Sequence, residues 1–180
     1  AVDLIEVEYE ELPAVFDPLE AMADGAPLLH PEVQDYAGLP EPLETPSNTF
    51  GRRLWEKGIT AWGFAEADII VESTFTTPRV HQAYLEPHAC LVWATPDGRL
   101  EAWAPNKAPH RLKHDLAAAL GLPERNVLVN HSTIGGDFGG KGSPMDAPLC
   151  YFLSLRTGRP VRMAMDYTEE LTAANPRHSS

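Results

Sequence analysis

The sequence predicts an α+β fold of mixed strands and helices, because strand, helix and turn signals alternate through its second half. Residues 89–95 and 99–104 are apolar runs separated by Pro96-Asp97-Gly98, a hairpin turn signal. Residues 108–120 set Leu112, Leu116 and Leu120 on one helical face, and Gly121 follows as a stop. Residues 131–142 then gather five glycines around one aromatic, Phe138, and one cation, Lys141. Glycine admits positive φ and lets the main chain approach a neighbour or ligand closely, so this cluster predicts a special backbone shape.

The remaining elements are read in chain order. Residues 2–9 mix alternation with β-branched side chains and predict a strand, ended by Glu10-Glu11-Leu12-Pro13. Asp17-Pro18 is a helix start, so 19–23 should form a short helix stopped by Gly25. Residues 26–47 carry recurrent prolines with little periodicity and predict an extended connector. Residues 63–68 should be a turn into a strand at 69–77. After the hairpin and helix, 126–129 predicts a strand, and Pro144 is placed to begin a helix beyond the glycine loop. Gly158-Arg159-Pro160 introduces a strand at 161–165, and Thr168-Glu169-Glu170 a last helical turn. The layout is a tail of one domain at 1–25, a connector at 26–62, and the first part of a second domain at 63–180. So abrupt a start points to a piece of something longer.

Composition narrows the function classes. With 180 residues and 43% hydrophobic content, the chain can bury a core. No apolar run approaches the roughly 20 residues that span a bilayer, and the acidic start is unlike a signal peptide, which favours the cytoplasm. Residues 1–50 hold twelve Asp/Glu and no Lys/Arg, so the whole net charge of −12 lies there. Nucleic-acid binding needs a basic footprint and is disfavoured. The acidic arm is a solvated surface or a docking site for a basic partner. Cys90 and Cys150 sit in apolar stretches and read as buried thiols; two thiols alone cannot ligate an iron–sulfur cluster.

Three patterns carry possible chemistry. Gly135, four residues, then Gly140-Lys141 matches most of a phosphate-binding P-loop, but Gly142 stands where a Ser or Thr should ligate magnesium. A glycine-rich loop for another anionic ligand fits better. His110 and His114 share a helical face at i, i+4, without the glutamate of a zinc protease, and read as surface histidines. His81, Glu86 and His88 form a polar cluster that reads as a pocket-lining turn rather than a metal site. No metal-ligating residue is therefore assigned.

Gly135-Gly136-Asp137-Phe138-Gly139-Gly140-Lys141 resembles the glycine-rich signature of the molybdenum-binding large subunit of the xanthine dehydrogenase, aldehyde oxidase and aerobic carbon monoxide dehydrogenase family. Other stretches agree in order: Tyr9 to Val15 resembles the end of that family's hammerhead domain, and 63–68 with Tyr84-Leu85-Glu86-Pro87-His88 the start of its molybdopterin-binding region. Trp103 to His110 and Gly158-Arg159-Pro160-Val161 complete the match. The resemblance implies a molybdenum–molybdopterin cofactor, in its cytosine dinucleotide form. It implies oxidative hydroxylation of an aldehyde, N-heterocycle or similar small molecule with water as oxygen source. Partners would be the remainder of the large subunit and the subunits or domains carrying iron–sulfur clusters and FAD, and the isolated chain would be inactive.

The resemblance places Gly135, Gly136, Asp137, Phe138, Gly139 and Gly140 at the cofactor and Lys107 near the metal's oxo ligand as the catalytic candidate. Glu86 and His88 would support the site. Three residues depart from the family's pattern: Lys107 where many members have Gln, Gly142 where purine-oxidising members have Glu, and Asp137 at the signature's third glycine.

Overall fold

The computed structural model describes residues 4–37 and 39–180. The chain divides into two compact units, Ala1–Val71 and Glu72–Ser180.

In the first unit, helix α1 (Pro18–Ala21) begins as its sequence dictates. Asp17 accepts hydrogen bonds from the backbone N–H groups of Leu19 and Glu20, at 2.7 and 3.1 Å, with Pro18 opening the helix. Asn48 organises the connector: its side chain accepts from the Leu29 N–H and donates to the carbonyls of Ala21 and Pro27. The strand expected at 2–9 does not form over residues 5–9, and Val2 and Asp3 lie outside the described residues. Alternation alone is not enough, since a strand needs a neighbour to satisfy its backbone groups. The turn expected at 63–68 is instead mostly helix α2 (Thr60–Glu66), which runs through Gly63. Val33 is the only buried apolar side chain among this unit's described residues.

The second unit is built on a four-stranded sheet of order β3-β2-β1-β4: β1 is Ala89–Ala94, β2 Leu100–Ala104, β3 Val127–His131 and β4 Val161–Ala164. The expected hairpin pairs β1 with β2 antiparallel, Val92 opposite Ala102, and Gly98 takes φ +82° in its turn. Helix α3 (Pro109–Leu120) then crosses over so that β3 runs parallel to β2, and β4 adds antiparallel to the free edge of β1. Gly121 caps α3 in the left-handed conformation. Helix α4 (Ala147–Thr157) packs on the same face, and α5 (Tyr167–Ala173) follows β4.

The core lies between the sheet and the two helices. Cys90, Val92 and Ala94 alternate inward from β1, Leu100 and Ala102 from β2, and Leu112 and Leu116 meet them from α3. Cys90 and Cys150 are buried free thiols with sulfurs 3.6 Å apart. Burial, then the neighbouring Cys150, pushes the Cys90 thiol up to about 12, so it is inert as a nucleophile.

Two further expectations change. No strand forms at 69–77; the chain first finds a backbone partner at the end of that stretch, where the Thr77 N–H donates to the Ser180 carbonyl, and then at Val80, which bridges Arg177. Helix α4 begins at Ala147 rather than Pro144 because Pro148 occupies its first turn, while the Pro144 carbonyl closes a tight turn with the Ala147 N–H. Six residues therefore separate Gly140 from the helix. No helix among the described residues is long and apolar enough to cross a membrane.

Candidate active site

The glycine loop leaves β3 at His131 and folds against the segment Tyr84 to Glu86. The Gly135 N–H donates to Glu86 Oε2 at 2.8 Å, and the Glu86 N–H donates back to the Gly135 carbonyl at 3.3 Å. A Cβ on Gly135 would lie 2.6 Å from Glu86 Cβ, on Gly136 2.8 Å from Tyr84 Cβ, and on Gly140 2.5 Å from the Tyr84 ring. These three glycines are thus required by the protein's own close packing. Gly140→Ala is expected to destabilise this unit by about 1–3 kcal/mol through overpacking. Thermal melts should show a smaller loss when the same change is made beside Tyr84→Leu, since the two sites are coupled.

Beneath the loop lies a part-buried ion pair. Lys141 is fully buried; its Nζ sits 2.6 Å from Glu86 Oε2 and 4.7 Å from the centroid of the Tyr84 ring. Burial works to raise the Glu86 carboxyl, but the bonds from Lys141 and the Gly135 N–H bring it below the usual carboxylate range. A lysine held this way does not reach out to phosphates, which removes the main feature of a P-loop.

A second carboxylate organises the other side of Tyr84. Glu170, fully buried on α5, accepts from the Tyr84 hydroxyl, the His88 N–H and His88 Nδ1, the last at 2.8 Å. His81 Nδ1 accepts from the Ala83 N–H, so its Nε2 carries the proton and faces Glu170 Oε1 at 3.4 Å. Burial would raise the Glu170 carboxyl, but the Tyr84 hydroxyl and the His88 donors hold it below its ordinary value. Burial first, and then Glu170, pushes the Tyr84 phenol far above its ordinary value, so it stays a donor. Tyr167 adds a hydrogen bond from its hydroxyl to the Tyr84 carbonyl at 2.6 Å.

The loop's crest faces outward. Phe138 is 64% exposed in the left-handed region at φ +46°, and Gly139, at φ +102°, has nothing within 4 Å of where a Cβ would stand. Left-handed backbone at a non-glycine residue is strained, and the Arg177 guanidinium braces it by donating to the Phe138 carbonyl at 2.9 Å. Asp137 accepts from the Lys141 N–H and lies 3.4 Å from Lys107 Nζ. Burial would raise its carboxyl; the Lys141 and Gly139 N–H groups, then Lys107, hold it low. Lys107 is pinned in turn by its own N–H, which donates to the Lys141 carbonyl at 3.1 Å, and its side chain remains 44% exposed.

The structure thus gathers Lys107, Gly135 to Gly140, Glu86 and His88 into one neighbourhood. Gly140 and Lys141 are buried within it, while Phe138 and Gly139 form its open edge. His110 and His114 stay apart on the exposed side of α3, His114 lying 3.6 Å from Glu124, and no group of three His, Cys, Asp or Glu suited to a metal occurs among the described residues. Sequence reasoning missed the roles of Tyr84, Glu170 and Arg177. The signal nearest to hand was Asp166-x-x-Glu169, a capping box that the structure forms and that fixes the start of α5, the helix that carries Glu170.

Comparison with known proteins bears on this site. Residues 42–180 match a family model described as the molybdopterin cofactor-binding domain. The carbon monoxide dehydrogenase large chain of Afipia carboxidovorans is 33% identical over 97% of this chain and 22% of its own length. The nicotinate dehydrogenase large molybdopterin subunit of Eubacterium barkeri is 29% identical over 99% of this chain and 39% of its own length. Among solved structures, the aldehyde oxidoreductase of Desulfovibrio gigas superposes with a TM-score of 0.80 at 26% identity, covering 97% of this chain and 18% of that protein. The chain spans well under half the length of these relatives.

Proposed function

We propose that this chain, which belongs to the molybdopterin cofactor-binding domain family, forms one wall of the cofactor site in the large subunit of a molybdenum-dependent oxidoreductase. The reaction is the oxidative hydroxylation of a small molecule such as an aldehyde or N-heterocycle, with water as oxygen source. The observation that carries this reading is the open crest: Phe138 and Gly139 exposed on a strained, braced loop, with the half-exposed ammonium of Lys107 beside Asp137. This arrangement fits an anionic, oxygen-rich group, because Gly139 presents main chain to open space with no side chain to shield it, at a φ of +102° that other residues rarely adopt. When bound, a molybdopterin supplies the redox-active metal. The chain's own residues do the positioning. Phe138 offers an apolar surface, Lys107 a hydrogen-bond donor and positive charge, and the Glu86–Lys141 pair holds the loop at fixed height.

In this reading residues 1–25 are the tail of a hammerhead-type domain, 26–62 a connector, and 63–180 the first part of the cofactor domain. The remainder of the large subunit, and iron–sulfur and FAD partners, complete a cytoplasmic enzyme that uses the cytosine dinucleotide form of the cofactor; the isolated chain is inactive. Helix α4 supports further burial. Leu149, Phe152, Leu153 and Leu155 are exposed although Cys150 and Tyr151 face the core, so this helix is apolar all round.

The test uses the full assembly. Phe138→Ala should lower the molybdenum bound per subunit, read by metal analysis. Lys107→Ala should retain the metal and lose about 10–100-fold in turnover, the usual cost of removing a group that supports a metal centre. Full metal content and activity in both variants would overturn the assignment of these positions.

A further inference from the structure

We infer that the space between the start of β1 and the segment leaving the glycine loop is the binding site of one buried water molecule, anchored by His88 and shared with Ser143. His88 is only 7% exposed, and its Nδ1 faces the Glu170 carboxylate. A carboxylate that already accepts from Tyr84 only accepts, so Nδ1 bears a proton. The other ring nitrogen, Nε2, is buried and has no hydrogen-bond partner among the described residues, and neither has Ser143 Oγ. Both residues line the same cavity, together with Cys90, Asn106 and Met145.

Two buried, unpartnered polar atoms on residues that line one small space call for a shared partner, since a buried polar atom left alone is costly. Size decides what that partner is. The cavity holds about 20 Å³, enough for one water, which needs roughly 10–15 Å³, and far short of the ~300 Å³ of a small-molecule pocket. The donor set decides against a metal, as no group of three His, Cys, Asp or Glu suited to a metal occurs among the described residues. Water also suits His88 in either protonation state, donating to a bare Nε2 or accepting from an N–H. Asn106, itself 4% exposed, gives one amide hydrogen to the Ser143 carbonyl at 3.3 Å and keeps a second for the water.

The water completes a chain of hydrogen bonds from Ser143 through His88 and Glu170 to Tyr84, whose ring lies under Gly140. It ties the exit of the glycine loop to the cluster that supports its underside. The test is a crystal structure of the complete subunit, wild type and Ser143→Ala. The expected result is one ordered water within hydrogen-bond distance of His88 Nε2 in both. An empty space, a direct Ser143 Oγ to Nε2 bond closing the cavity, or loss of the water in Ser143→Ala would overturn the assignment of His88 as its anchor.

Discussion

Glu170→Ala is expected to destabilise the second unit by about 3 kcal/mol or more, because one deletion strands three buried donors, each costing about 1–3 kcal/mol when left unsatisfied. Those donors are the Tyr84 hydroxyl, the His88 N–H and His88 Nδ1. Glu170→Gln should lose less: the amide keeps the shape and one acceptor oxygen, but its NH₂ meets groups that are themselves donors. Urea unfolding followed by circular dichroism would rank the three proteins. The same carboxylate sets an acid limit. Its folded value is held below that of a free glutamate, about 4.3, so its stabilisation is fully present above that pH and is lost as pH falls through the lower folded value. Wild type should therefore lose stability below about pH 4.3 more steeply than Glu170→Gln. Equal slopes would show that Glu170 is not ionised in the folded protein.

The features legible in the sequence are those whose cause is local. The β1–β2 hairpin follows from Pro96-Asp97-Gly98, and α3 from its leucine spacing and Gly121, and both form where read. The order β3-β2-β1-β4 was not legible, since pairing β1 with β4 joins Cys90 to Met163 across seventy residues of chain that carry no matching signal. The site divides in the same way. Glycine density announced an unusual loop, but not that Gly135, Gly136 and Gly140 make room for Tyr84 and Glu86, which arrive from some fifty residues earlier. Lys141 read as the one cation of the glycine loop and as part of an incomplete P-loop match; only the fold shows it buried. Glu170 read only as part of a last helical turn, Thr168-Glu169-Glu170, with nothing local to say where its carboxylate pointed. Asp137, a departure from the resembled signature, finds its account in Lys107, another departure, 3.4 Å away.

Glu86→Gln and Lys141→Met remove opposite halves of one ion pair, yet their costs should differ several-fold. The Lys141 side chain is fully buried, whereas that of Glu86 is 37% exposed. Neutralising Glu86 leaves a desolvated ammonium that has lost its counter-charge and must compete with the Gly135 N–H for the one amide oxygen, and removing one partner of a buried charge in this sense costs about 3–5 kcal/mol. Removing Lys141 instead leaves a carboxylate that water reaches and that still accepts from the Gly135 N–H at 2.8 Å. Its loss should be about 1–2 kcal/mol, with the methionine occupying much of the lysine's volume. The double variant should resemble Lys141→Met, because the stranded charge is then gone. Urea midpoints of the four proteins test this ordering, and equal losses in the two single variants would sink it. Because Gly135 and Lys141 bracket the crest and both hold Glu86, whichever variant frees the loop should also expose its backbone amides to hydrogen exchange first. Glu86→Gln should do so more than Lys141→Met, since a buried charge without its counter-ion is driven toward solvent and draws the loop with it.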